Sequence, residues 1–137
     1  MAKILVIGQA PPIQHQQYPY DTTLWYDWLF GAGITKEQSV DIFTYNAVFD
    51  KFPGKTRAGG HKAPLKDQKV QHYNNSLRAE IQQHDKIIVL GNVASDFLKE
   101  RILGKQVLHL IHPSRRNYSR IKPHREEIIN SLKNFIL

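Results

Sequence analysis

The 137-residue chain has no cysteine. That absence removes disulfide frameworks, thiolate zinc sites and thiolate-held iron–sulfur clusters from consideration. Long apolar runs are missing too. The longest are a few residues, far short of the roughly 20 that a bilayer-crossing helix needs, so no membrane partner is expected. No leader with a cleavage site precedes the strand-like start at Lys3, and a cytoplasmic protein is expected. Acidic side chains are scarce beside basic ones, 12 against 19, which leaves a formal net charge of +7. Such a balance suits a polyanionic partner but says nothing about specificity or catalysis. There is no GxGxxG and no GxxxxGKS/T, so dinucleotide and P-loop readings lack a phosphate cradle. There is also no GxSxG nucleophile elbow. His109 and His112 would point to opposite faces of a strand, and the other histidines are scattered, so no metal site is expected.

What the chain does contain alternates between buried-strand and helix patterns. KILVI, residues 3–7, is a continuous apolar run closed by Gly8, as in a strand buried on both faces. A helix capped by Thr22 or Thr23 is predicted to run to about Gly31, with Leu24, Trp25, Trp28 and Leu29 at helical spacing and GAG as its stop. VDIFTYNAVF, residues 40–49, mixes β-branched and aromatic side chains and predicts a second strand with Asn46 near its end. Residues 51–64 are rich in glycine, proline and base, and predict an exposed loop that either connects or contacts nucleic acid. Val70, Tyr73, Leu77 and Ile81 form one apolar stripe on a helix predicted over 66–83, which reads as scaffold.

KIIVL, residues 86–90, is a third buried strand, and a helix opens after it near Asn92. QVLHLI, residues 106–111, is a fourth strand, and a last helix over 123–135 turns Ile128, Ile129, Leu132 and Phe135 inward. The alternation predicts one domain over 1–137, a three-layer α/β/α arrangement around a four-stranded parallel sheet. Ligands of such sheets bind beyond the carboxyl ends of the strands. There lie Gly8 to Pro12, Asn46, Gly91 with Asn92, and His112 to Asn117.

Taken together, ILVIGQAPP, DIFTYNAVF, KIIVLGNVASDFL and LHLIHPSRRN follow the order and spacing of the uracil-DNA glycosylase superfamily over nearly the whole chain. The series resembles the GEAPG, TNVVK, LG and HPS motifs of its iron–sulfur bacterial and archaeal branch, with TYNAVF in the place of TNVVK. The resemblance implies a hydrolase that acts on DNA and removes uracil or a related pyrimidine; no cofactor and a monomer are expected. The resemblance puts Gln9 and Ala10 in the loop facing water and sugar, with Gly8 and Pro11 shaping it. Asn46 falls where the family reads the pyrimidine edge, and Gly91 and Asn92 fall in the pocket wall. His112 falls where the leaving base's carbonyl is bonded, and Tyr20 resembles the aromatic that stacks on the flipped base. Pro113, Ser114, Arg115, Arg116 and Asn117 would form the loop that enters the minor groove, and Arg120 would hold phosphate.

The residue types suit that chemistry. A base that leaves as an anion from an oxocarbenium-like sugar needs a fixed donor at its oxygen, and His112 can be one. An amide at Asn46 can donate to a pyrimidine carbonyl and accept from its ring N–H. The chain also departs from the family pattern: it has none of the cluster's cysteines, Gln9 replaces a glutamate, and Ala10 replaces the aspartate or asparagine of other branches. Arg115 and Arg116 stand in place of an apolar wedge, which leaves Tyr118 as the nearest candidate for insertion. Asp21 or Asp50 could supply the missing carboxylate from a neighbouring loop. Two alternatives stay open: an inert relative that binds DNA or a nucleotide, and a glycosidase or transferase for free nucleosides.

Overall fold

Four parallel strands carry the fold: β1 (Ile4–Gly8), β2 (Phe43–Ala47), β3 (Lys86–Leu90) and β4 (Gln106–Leu110), in the order β2-β1-β3-β4. They belong to a computed structural model, which describes residues 3–9, 23–49 and 65–137. β1 and β3 occupy the middle because their apolar runs do not alternate, and such runs are stable only where both faces are covered. Parallel neighbours cannot be joined by a tight turn, so each crossover brings helix onto one face.

Strand periodicity sorts the core into two layers. Val6, paired with Tyr45 and Ile88, lies on the face covered by α1 (Trp25–Gly31) and α7 (Arg125–Ile136), where Trp25, Trp28, Leu29, Ile129 and Leu132 pack. Leu5, Ile7, Ile87 and Val89 face the other way, against Leu77, Ile81, Ala94, Phe97 and Leu98. These come from the composite helix of α3 (Lys66–His72), a π-helical turn (Tyr73–Leu77) and α4 (Arg78–Gln83), and from α5 (Asn92–Leu98). Each fully buried Leu, Ile or Val contributes roughly 1.5–3 kcal/mol of apolar burial, so the two layers define the α/β/α sandwich expected from the sequence.

Two elements depart from expectation. Residues 40–42, which read as the start of the second strand, instead finish α2 (Lys36–Ile42). Thr35 Oγ1 accepts the Gln38 N–H at 3.1 Å and Gln38 Oε1 accepts the Thr35 N–H at 2.9 Å. This capping box starts a helix that carries through the β-branched Val40 and Ile42 against their strand preference. The last α-helix begins at Arg125 rather than at 123, because Lys122–His124 form a 3-10 turn before it.

The end of α1 follows its sequence signal. Gly33, at φ +82°, lets Ile34 N–H reach Leu29 C=O at 2.8 Å while its own N–H bonds Phe30 C=O at 3.0 Å. That is a Schellman closure, and it buries Ile34. At the other end the capping expectation is corrected: Leu24, not Thr23, is the N-cap and makes no side-chain cap bond, while Thr23 Oγ1, one residue earlier, accepts the Trp25 N–H at 3.2 Å; Thr22 lies outside the described residues. α1 is then tied to its surroundings by a Trp25 Nε1 bond to Tyr45 Oη at 2.9 Å and by the two-pronged Arg125–Asp27 pair at 2.9 and 3.2 Å. The pair raises the arginine's pKa further through that hydrogen bond.

Candidate active site

The strand order places a topological switch point between β1 and β3, where the chain turns outward in opposite directions. In parallel sheets such a point, at the carboxyl ends of the strands, is where ligands bind. Gly8 closes β1 and is anchored through its carbonyl, which accepts the Val48 N–H at 3.0 Å. Gln9 follows, half-buried at the edge.

Gly91 holds the opposite wall. Its φ of 86° and ψ of 166° belong to a region that only glycine occupies readily. A second constraint acts on the same residue: a Cβ added there would stand 3.2 Å from His112 Cβ and 3.6 Å from its Cδ2. The imidazole of His112 is thus seated against the bare Cα of Gly91. The Gly91 N–H also bonds Leu110 C=O at 2.9 Å, which joins the loop after β3 to the end of β4. Asn92 opens α5 beside it and is exposed.

The segment after His112 is held by its own backbone. Asn117 Nδ2 donates to His112 C=O at 3.1 Å, and Asn117 N–H bonds Ser114 C=O at 3.0 Å, closing the 3-10 turn Arg115–Asn117. Buried Pro113 accepts the Leu24 N–H at 2.7 Å, which fastens this segment to the start of α1. Arg115 and Arg116 project into solvent, as do Tyr118 and Arg120 of the following short helix α6 (Tyr118–Ile121).

Asn46 lies one residue before the end of β2, paired in register with Ile7. Its amide meets two side chains of the helix that its periodicity assigns to scaffold. Oδ1 is 2.9 Å from His72 Nε2, and Nδ2 donates to Ser76 Oγ at 3.4 Å. Helical periodicity marks only the apolar stripe of that helix. No pattern in the sequence signals a polar contact made 26 residues away. Gly8, Gln9, Asn46, Gly91, Asn92 and His112 all lie at the carboxyl edge or beside it, whereas Ala10, Pro11, Tyr20, Asp21, Asp50 and the 51–64 loop fall outside the described residues. Among the described residues no three His, Asp or Glu side chains could hold a metal ion together, and no helix is long and apolar enough to cross a membrane.

The model of the Uracil DNA glycosylase superfamily matches residues 1–133. The chain belongs to this superfamily. No curated protein gives a significant match to it. Membership brings a DNA glycosylase-like function in general, in the hydrolase class and with DNA as the substrate polymer. The α/β fold with its all-parallel sheet is consistent with that superfamily.

Proposed function

We propose that this superfamily member is a single-domain enzyme that hydrolyses the N-glycosidic bond of uracil, or of a related modified pyrimidine, in DNA. The observation that carries the reading is the seating of His112 against Gly91 at the sheet's switch point. A side chain seated closely against fixed backbone can meet developing charge with little reorganisation, which is where electrostatic catalysis gains most.

In this reading the bond between the base nitrogen and the sugar C1′ breaks first, and its electron pair leaves with the base. His112 donates a hydrogen bond to the base carbonyl as that oxygen becomes negative. Gln9 orients the water that then adds to C1′. Its amide cannot take the water's proton near neutral pH, so the proton passes to solvent or to the departed base. Pro113, Ser114 and Asn117 shape the turn, and Arg115, Arg116 and Arg120 meet phosphates. Ala10, Pro11 and Tyr20 complete the pocket, with Tyr20 stacking on the flipped base.

The amide at position 9 favours one competing reading, a relative that binds uracil-containing DNA without turnover. Incubation with uracil-containing DNA followed by alkali decides between them. Strand breaks at uracil positions support hydrolysis, binding with intact strands supports the competitor, and activity confined to free nucleosides overturns both.

A further inference from the structure

The surroundings of Asn46 carry an inference that deepens its assignment as the base-reading residue and rests on it. The amide is engaged at both ends. Oδ1 accepts the N–H of Ala47 at 2.8 Å, which identifies that end as oxygen. The same oxygen lies 2.9 Å from His72 Nε2, so Nε2 must carry a hydrogen and donate it. Nδ2 donates to Ser76 Oγ over a long 3.4 Å. An amide oxygen has two lone pairs, and both are now occupied; an amide nitrogen has two hydrogens, and one is occupied. Among the described residues, the capacity that Asn46 retains is a single N–H. One partner also occupies an uncommon backbone: Ser76 lies in the π-helical turn Tyr73–Leu77, which begins directly after His72 at the end of α3. Such turns occur mostly as isolated departures from α-helix and concentrate at functional sites.

We infer that His72, assisted by Ser76, is a positioning residue that holds the Asn46 amide as a donor-only reader, so that the site recognises bases by a keto oxygen rather than by a keto and ring N–H pair. A keto oxygen, as on uracil, accepts the remaining N–H. Cytosine has its keto oxygen at C2 and an exocyclic amine at C4, so in the pose that offers uracil's 4-keto oxygen to Asn46 it sets donor against donor and is rejected. The ring N–H of uracil needs no partner from Asn46, in contrast to the two-point contact expected from the sequence.

The Asn46 side-chain resonances of the full-length ¹⁵N-labelled protein, assigned by their loss in Asn46→Asp, read this arrangement without requiring turnover. Free uracil is expected to shift them, and free cytosine to leave them in place. His72→Ala is expected to move them in the absence of ligand and to let cytosine shift them as well. His72→Gln, whose amide N–H can replace the imidazole donor, is expected to restore the parent pattern. In single-turnover excision of uracil from DNA, His72→Ala should lower the rate by up to about 10²-fold, the scale of loss for a misplaced contact, while His72→Gln stays near the parent. Should His72→Ala fail to fold, His72→Leu against His72→Gln provides the same contrast of donor present and donor absent. Unchanged resonances and unchanged rate in the donor-free variant overturn the positioning role. If His72→Ala moves the resonances but uracil does not shift them in the parent, the clamp is only structural, and the failure lies in the assignment of Asn46 to the base.

Discussion

Replacing Gly91 with alanine tests whether the backbone of one loop sets the position of His112. Two effects follow from the geometry. The first is strain, because φ 86° and ψ 166° cost a residue with a Cβ about 1–3 kcal/mol. Alanine recovers about 0.4–1 kcal/mol by restricting the unfolded chain, so the net loss is about 1–2 kcal/mol, or roughly 3–10 °C in Tm for a chain of this size. The second effect is displacement. The new Cβ would stand 3.2 Å from His112 Cβ, where carbon atoms settle at about 3.5–4.0 Å, so the imidazole must retreat by roughly 0.3–0.8 Å. Since a misplacement of about 1 Å can cost about 10²-fold, the expected loss in single-turnover excision is about tenfold.

Gly33→Ala separates the two effects. Gly33 also has positive φ, +82°, but its added Cβ would meet nothing within 4 Å. It should lose stability while keeping the rate of the chemical step. Urea unfolding and single-turnover excision, measured on both variants well below their midpoints, make the comparison. A Gly91→Ala enzyme as fast as the parent, or a Gly33→Ala enzyme slowed equally, would refute the claim that Gly91 acts through His112.

Other perturbations address the remaining parts of the fold and the proposed site. His112→Ala should lower the single-turnover rate by ~10²–10³, the usual cost of one donor to a developing anion, and leave DNA binding nearly intact in a filter or anisotropy assay. Charge reversal at Arg115 and Arg116 should weaken binding to all sequences alike and flatten the dependence of log K on log salt by about 0.9 for each phosphate no longer neutralised, with no slowing once DNA is saturating. Gln9→Glu should hold or raise the chemical rate, and Gln9→Ala should lower it by less than His112→Ala does; a larger loss from Gln9→Ala would show that water placement dominates. Thr35→Ala removes the capping box of α2 and should cost ~1 kcal/mol in urea unfolding with activity unchanged.

How far the molecule can be read from its sequence depends on whether a signal is periodic or particular. β1 and β3 are legible because a run such as ILVI or IIVL has no polar face to expose, and only a covered strand accommodates it. Residues 40–42 mislead because β-branched side chains favour strand, while the threonine-to-glutamine box that starts α2 lies upstream of them and prevails. The box is visible as T-x-x-Q at Thr35 and Gln38 and could have been found. The placement of Gly8, Gly91 and His112 at one edge follows from the parallel topology. The contact of His72 and Ser76 with Asn46 does not, since an amphipathic stripe records which face is apolar and is silent about polar side chains along its border. Nor does the π-turn over Tyr73–Leu77 have a composition that marks it out.

The loop after β4 divides the proposed chemistry into an inner and an outer part. Its inner side is restrained by backbone: Gly91 N–H to Leu110, Leu24 N–H to Pro113, and the Asn117 amide to the His112 carbonyl. Every one of these bonds uses a main-chain group, and together with the close approach of Gly91 to the His112 side chain they fix the segment that carries the ring, the arrangement expected of a group that must already be in place when charge develops. Its outer side is long cationic side chains in solvent at Arg115, Arg116 and Arg120. Phosphate attraction tolerates such freedom, because a guanidinium can follow the backbone without a fixed geometry, whereas stabilisation of a departing base cannot. Perturbations of the two sides should therefore separate cleanly. Changes that loosen the backbone restraints act on the rate at saturating DNA, and changes of surface charge act on affinity and its salt dependence. If loosening Pro113 or Asn117 altered only affinity, the restraints would serve the docking of DNA, and the role proposed for His112 would lose its physical basis.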